Sequence, residues 1–272
     1  MTIMLRFVAA AVAGLLLLPG AAFAEGASPW AEGFHSRARL VAGSGAHEHW
    51  VGVEILLDPG FKTYWRDPGE SGLPPRFDWT GSTNAQAIDL RWPAPGRVED
   101  VGGTGYVYFD RVVFPVRVTA SNAAQPVTLR LKLEYGVCKD ICIPANASLA
   151  LKLDRRSGPH GASIEGFLAR VPRPQPLSAE GPLSITGVRR LPGDKPTYEV
   201  QVRAPDGAVL FAEPPENWYV STSSPQPEGR FTVTIEEKPK QAAALPSLRL
   251  TLVAGSQAIE TEVQLDPSLA AR

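Results

Sequence analysis

The sequence predicts an all-β protein built from short strands. Its 26 prolines and 25 glycines are spread along the chain and separate short stretches in which apolar and polar residues alternate. Such two-residue alternation is typical of strands that bury one face and expose the other. Turn-forming residues at frequent intervals between these stretches favour sandwich or barrel architectures.

The first half of the chain contains the clearest strand patterns. In the segment VTLRLKLEY, at residues 127–135, every second residue is apolar. We therefore expect one buried and one solvated face there. The predicted strands in this half span residues 34–41, 49–57, 112–119, 127–135 and 143–153.

Residues 155–182 interrupt the alternation and predict a linker between two domains, because they are rich in proline and charge. Within the linker, apolar residues recur at i, i+3, i+4 and i+7, a spacing typical of one helix face. These residues are Ile164, Phe167, Leu168 and Val171. We expect a short helix that ends before Pro172 and docks on a β-domain.

Beyond the linker, strand patterns resume at residues 183–188, 197–202, 230–235, 247–253 and 259–265. They predict a second, smaller β-sandwich over residues 183–266. The first β-domain is predicted to span residues 25–154.

Residues 1–24 have the pattern of a secretory signal. Arg6 precedes an apolar run at residues 7–18, and Ala22 and Ala24 form a small-residue cleavage site. A membrane anchor is the alternative, but about a dozen apolar residues are short against the ~20 that span a bilayer. We expect cleavage after Ala24, no stable membrane insertion afterwards, and a soluble periplasmic protein in a compartment where disulfides persist.

Composition excludes several functions. The net charge is −1 and no block of Lys or Arg is present, which argues against binding to nucleic acid. Among the four histidines, only the pair His47 and His49 has a spacing that could suggest ligands, and a solvated strand start explains it better. We predict no cofactor and no metal, and hydrolase motifs are absent.

The only two cysteines, Cys138 and Cys142, flank Lys139, Asp140 and Ile141 between two predicted strands. The simplest geometry is a hairpin whose last cross-strand pair is the two cysteines. A disulfide there would stabilise the fold by only about 2 kcal/mol, because the ring that it closes is short. Directly opposed strand residues are slightly too far apart for an unstrained disulfide, and strained, exposed disulfides belong to the labile class.

Three interpretations of this pair remain open on these grounds. The first is redox exchange, in which one thiolate attacks a partner disulfide and the other resolves the intermediate. The second is a structural hairpin disulfide, and the third is a metal site. Lys139 and Asp140 shift a nearby thiol pKa in opposite directions, so the spacing does not identify the attacking cysteine.

Four ordered motifs resemble the N-terminal periplasmic domain of DsbD-type thiol:disulfide interchange proteins. They are GFKTYWRDPGESGLPP at 60–75, WPAP at 92–95, YFDRVVFPV at 108–116 and YGVCKDICIP at 135–144. The tight Cys-x3-Cys spacing is most similar to the suppressor-of-copper-sensitivity branch of that family. Full-length relatives continue into membrane helices and a thioredoxin-like domain, and we expect this chain to act as a free-standing module without them.

The resemblance implies an immunoglobulin-like sandwich that acts as a thiol:disulfide oxidoreductase. The pair would carry electrons from a separate membrane electron transporter to thioredoxin-like periplasmic proteins, with Cys142 as the attacking thiol. Cytochrome c maturation and copper tolerance are the pathways that such a relay could serve. The rival hypothesis is a non-catalytic module that binds proteins and carries a structural hairpin disulfide.

The resemblance also suggests which residues border the pair: Tyr64, Asp67, Glu99, Asp100, Val101 and Tyr106. Residues 98–105 correspond to a loop that covers the cysteines in relatives, with Val101 near its tip. Ordinary structural roles remain open for several of them. Tyr64 could pack in the sandwich, Asp67 could hold a loop, and Glu99 and Asp100 could be solvated acids.

Overall fold

The computed structural model describes residues 26–43, 48–100, 103–153, 158–240, 245 and 247–265. Within these ranges the chain forms strands and one short helix, so the predicted all-β class is confirmed. The predicted signal at residues 1–24 lies outside the described residues. No helix among them is long and apolar enough to cross a bilayer.

Two sheets face each other to form the first sandwich. Its strands are β1 (Ala31–Gly33), β2 (Ser36–Ala42), β3 (Glu48–Leu57), β4 (Lys62–Gly69), β5 (Arg76–Asp78), β6 (Ala85–Leu90), β7 (Gly96–Asp100), β8 (Gly103–Phe109), β9 (Arg111–Ala120), β10 (Val127–Cys138) and β11 (Cys142–Leu153). One sheet has the order β1-β2-β3-β9-β6, and the other has the order β11-β10-β4-β8-β7 with β5 beside β10.

The alternating pattern of β10 determines how the second of these sheets packs. Its odd-numbered residues from Val127 to Val137 are buried in the core between the sheets, and the polar residues between them face outward. β10 and β11 pair without a register shift from Val127 opposite Leu153 to Cys138 opposite Cys142. The cysteines therefore form the last pair of the hairpin, as the sequence predicts.

A second pair of sheets follows, with a separate apolar core. Its strands are β12 (Arg173–Pro174), β13 (Ser184–Leu191), β14 (Thr197–Arg203), β15 (Val209–Glu213), β16 (Tyr219–Thr222), β17 (Arg230–Glu237), β18 (Ser247–Ala254) and β19 (Gln257–Gln264). The sheet orders are β12-β19-β18-β15 and β13-β14-β17-β16. A second, smaller sandwich is thus present, whereas the domain boundaries at residues 154 and 182 stay predictions.

The predicted helix is α1 (Gly161–Leu168), and it docks on the first sandwich. Ile164 is almost fully buried there against Val41 and Val113. The predicted linker also contributes a strand, because β12 pairs in parallel with β19. That pairing ties the connection to the second sandwich.

The two sandwiches are in contact near the end of β4. Phe211 of β15 inserts into the core of the first sandwich, where it packs edge-on against Trp65 and Tyr106. Beside it, the Arg66 guanidinium donates two hydrogen bonds of 2.7 Å to Glu213 of β15. Arg66 also pairs with Glu260 of β19. Apolar packing and a bidentate ion pair thus fix the second sandwich next to β4.

Candidate redox site

The two cysteines form a disulfide at the hairpin tip, with their sulfur atoms 2.10 Å and their Cα atoms 4.2 Å apart. A short turn closes the hairpin, in which the Lys139 N–H donates to the Ile141 carbonyl at 3.3 Å. Cys138 is only 1% exposed, whereas Cys142 is exposed. Cys142 is therefore the more accessible residue of the pair.

The outer face of the sheet positions the groups around this bond. Cys138 lies opposite Lys62 of β4, and Lys62 lies opposite Phe109 of β8. Side chains two residues apart in a strand point the same way, so Tyr64 shares the face of Lys62. The Tyr64 hydroxyl lies 3.3 Å from the Cys142 sulfur.

Tyr64 is held firmly in this position. Its side chain is 3% exposed, and Gly72 lies directly against its ring, where an added Cβ would come within 2.3 Å of a ring carbon. Burial, and next the charge of Asp100, raises the pKa of Tyr64. The hydroxyl therefore stays protonated near neutral pH and can donate a hydrogen bond to a Cys142 thiolate.

The hairpin of β7 and β8 covers the buried side of the pair. Val98 of β7 and Val107 of β8 pack with Tyr64 and Cys138 in one small apolar cluster. On the same face of β7 as Val98, Asp100 accepts a 2.5 Å hydrogen bond from the buried Lys62 ammonium. The ion pair compensates the charge of Lys62, which would be costly to bury without a partner.

The other predicted neighbours make their contacts elsewhere. Glu99 alternates with Asp100 along β7, so it points away from the pair and binds Arg97 and Thr104. Tyr106 lies on the inner face of β8 against Phe211, and burial raises its pKa to about 12. Val101 lies outside the described residues.

Asp67 also lies at the contact between the sandwiches rather than at the pair. Its carboxylate accepts the Gly69 N–H at 2.9 Å. Burial, with a further contribution from the charge of Glu213, raises its pKa to about 6 against the opposing effects of the Gly69 hydrogen bond and Arg66. Burial thus dominates its altered pKa, and the neighbouring charges that act on it are Glu213 of the second sandwich and Arg66.

Exposed apolar side chains lie at the end of the sheet that carries Cys142. Ile141, in the turn next to Cys142, is 70% exposed. Phe109 of β8, which lies opposite Lys62 of β4, is 44% exposed. Close by, Lys139 of the turn lies over the ring of Phe61 at 5.8 Å. These side chains form a partly apolar surface next to Cys142.

Metal ligands are not brought together at this site. Among the described residues, no group of three or more His, Cys, Asp and Glu side chains could hold a metal ion. His35 pairs with Asp58 at 2.7 Å and stacks on Phe61. His47 lies outside the described residues.

Sequence reasoning missed Lys62, Gly72 and Val107 as parts of this site, and it did not single out Val98 within the segment expected to cover the cysteines. Lys62 and Gly72 lie inside the motif at residues 60–75, but nothing in that motif indicates which side chain faces the cysteines. Only the pairing of Cys138 with Lys62 across the sheet sets that direction. The contribution of Val98 and Val107 depends in the same way on the strand register of β7 and β8.

The first sandwich thus carries a disulfide at the tip of its β10–β11 hairpin. Residues 36–154 match the family model of the N-terminal region of the thiol:disulfide interchange protein DsbD. The first sandwich is therefore similar to a DsbD-type N-terminal domain, as its motifs predict. The second sandwich lies outside this match.

One solved structure is similar over most of the chain. It is the N-terminal periplasmic domain of ScsB from Proteus mirabilis, with 20% sequence identity and a TM-score of 0.69. The superposition covers 89% of this chain and 98% of the other, so the shared fold extends beyond the first sandwich. No curated protein matches the chain.

Proposed function

We propose that this protein exchanges thiols and disulfides with partner proteins through Cys138 and Cys142. The observation that carries the proposal is the asymmetry of the pair, in which Cys142 is exposed and Cys138 is buried directly opposite it. One thiol is placed to meet a partner and the other to resolve the mixed disulfide. This arrangement supports Cys142 as the attacking residue.

The exchange begins when the Cys142 thiolate of the reduced protein attacks one sulfur of a partner disulfide. The Cys142–partner bond forms as the partner S–S bond breaks, and the second partner sulfur leaves as a thiolate. The Cys138 thiolate then attacks the Cys142 sulfur, which restores the intramolecular disulfide and releases the partner as a dithiol. Two electrons pass to the partner in each cycle.

The same proposal places the protein between a membrane reductase and thioredoxin-like proteins outside the cytoplasm. The predicted export signal at residues 1–24 and the family resemblance support that location. A dithiol of the membrane reductase would regenerate the reduced pair, since each cycle leaves it oxidised. Cytochrome c maturation and copper tolerance are the pathways that we propose for such a relay.

Trapping experiments test the role of each cysteine. The acceptor is a thioredoxin-like protein with one active-site cysteine, loaded with thionitrobenzoate as a mixed disulfide. We expect Cys138→Ala to form a covalent adduct through Cys142 and to release thionitrobenzoate, whose absorbance is followed. The matched variant Cys142→Ala should react far more slowly, because the Cys138 sulfur is buried.

Two other results would count against the proposal. Adduct formation by Cys142→Ala alone would reverse the assignment of the attacking thiol. If neither variant forms an adduct, the rival hypothesis gains, namely a protein-binding module whose disulfide only stiffens the hairpin.

A further inference from the structure

We propose that the second sandwich holds strand β7 against the redox pair, and that Arg97 is the positioning residue that makes this link. The inference gives the second sandwich a role in the environment of the cysteines. It concerns packing around the disulfide and holds whichever partner the pair serves.

β7 needs support because, within the described part of the chain, it is the edge strand of its sheet and pairs with β8 alone. An edge strand has hydrogen bonds along one side alone and opens more easily than a central strand. Its five residues alternate between two environments. Val98 and Asp100 face the redox pair, whereas Arg97 and Glu99 face the opposite way.

The face toward the pair determines how well Cys138 is covered. Val98 packs in the cluster that contains Cys138 and Tyr64. Asp100 binds the Lys62 ammonium, and Lys62 lies opposite Cys138 in the sheet. A displacement of β7 would therefore uncover Cys138 and release Lys62 at the same time.

The opposite face meets the second sandwich through Arg97. Its guanidinium donates to the carbonyl of Thr222, the last residue of β16, at 2.9 Å and to the next carbonyl, that of Ser223, at 3.2 Å. The side chain is 12% exposed and also binds Glu99 at 2.7 Å. Hydrogen bonds from a charged donor are roughly twice as strong as neutral ones, so these two contacts matter for a five-residue strand.

Neighbouring contacts fix the geometry of this link. Arg66 of β4 binds Glu213 and Glu260 of the second sandwich, and Phe211 packs on Tyr106 of β8. Tyr106 lies directly opposite Arg97 in the sheet. The second sandwich is thus held in place at β4 and β8, and Arg97 extends its support to β7.

The test compares Arg97→Ala with Glu99→Gln in the full chain. Arg97→Ala removes both hydrogen bonds to the second sandwich, while Glu99→Gln removes the charge of the partner on β7 and leaves those bonds in place. Two quantities are measured, namely amide hydrogen exchange of residues 98–100 and the rate at which dithiothreitol reduces the disulfide. Dithiothreitol needs no protein docking, so the result is independent of the proposed relay.

We expect both rates to rise about tenfold in Arg97→Ala, the change that corresponds to losing hydrogen bonds from a charged donor. Glu99→Gln should remain near the wild-type rates. The slowly exchanging amides of β3 should be unchanged in both variants, which separates local loosening from global unfolding.

A conservative variant keeps the test informative if Arg97→Ala does not fold. Arg97→Lys retains the charge but cannot present the two-pronged guanidinium, so we expect partial rescue and rates between those of wild type and Arg97→Ala. If the folded Arg97 variants react and exchange at wild-type rates, the proposal is wrong. If Glu99→Gln accelerated exchange and reduction as much as Arg97→Ala, the proposal would also be wrong. The ion pair between Arg97 and Glu99 would then hold β7 in place, and the second sandwich would not.

Discussion

Asp67 offers a quantitative test of how the two sandwiches meet. The sequence places it among the candidate neighbours of the cysteines, but its structural contacts are with Gly69 and the groups around Glu213. Burial raises its pKa to about 6 from an ordinary value of 3.8. We expect Asp67→Asn to stabilise the protein at neutral pH, because the amide keeps the acceptor for Gly69 and carries no charge.

The magnitude follows from linkage. Each pH unit of difference between the folded and unfolded pKa is worth 1.36 kcal/mol, so the rise from 3.8 to about 6 sets an upper limit of about 3 kcal/mol. Below the unfolded pKa, Asp67 is protonated in both states and costs nothing. As the pH rises from the unfolded pKa to the folded pKa, the unfolded chain ionises at Asp67 before the folded protein does, so the wild type loses stability. The advantage of Asp67→Asn should therefore grow up to about pH 6 and then level off.

Chemical denaturation at about pH 3 and about pH 7.5 measures this difference in the free energy of unfolding. We expect a gain of about 1 to 3 kcal/mol at the higher pH and almost none at the lower one. Asp206→Asn, on an exposed turn, serves as the matched control for the change from Asp to Asn itself. Equal stability of Asp67→Asn and wild type at both pH values would refute the reasoning. If Asp67→Asn changed the reduction potential of the cysteine pair but not the stability of the protein, Asp67 would instead act on the redox pair.

Three further substitutions probe the site itself. Tyr64→Phe should raise the pKa of the reduced Cys142 thiol by about one unit, measured from the pH dependence of alkylation, and an unchanged profile would exclude the hydroxyl as a donor. Gly72→Ala should destabilise the fold by about 2 kcal/mol or more in thermal unfolding, because its φ is +137° and its Cβ would strike the Tyr64 ring. Ile141→Asp should change the free energy of unfolding by less than about 0.5 kcal/mol, yet slow exchange with a thioredoxin-like protein. Equal exchange rates for Ile141→Asp and wild type would show that the turn does not contact the partner.

Alternation in the sequence is clearest for strands that expose one face to solvent. β10 and β11 alternate cleanly, and even the terminal pairing of Cys138 with Cys142 follows from them. β4 gives no such pattern, because Lys62, Thr63, Tyr64 and Trp65 are all buried. One face of β4 packs against the core and the other against the redox site. Apolar and polar residues therefore do not alternate along β4.

The candidate neighbours in residues 98–106 show a different limit. The resemblance suggests a covering loop at residues 98–105, whereas residues 96–100 and 103–109 form two paired strands, β7 and β8. In strands only alternate residues share a face. Asp100 therefore lies on the face of the pair and Glu99 does not, and Val107 takes the place that the sequence suggests for Tyr106. The partners Lys62 and Asp100 are 38 residues apart, a contact that no local spacing could reveal.

The reduction potential of the Cys138–Cys142 couple tests the proposed relay most directly. It can be measured by equilibration with glutathione or dithiothreitol buffers and alkylation of the free thiols. If the pair is an electron relay, we expect a potential above about −300 mV together with exchange with a thioredoxin-like protein. A potential below about −300 mV, with no exchange, would mean that the disulfide is a structural bridge.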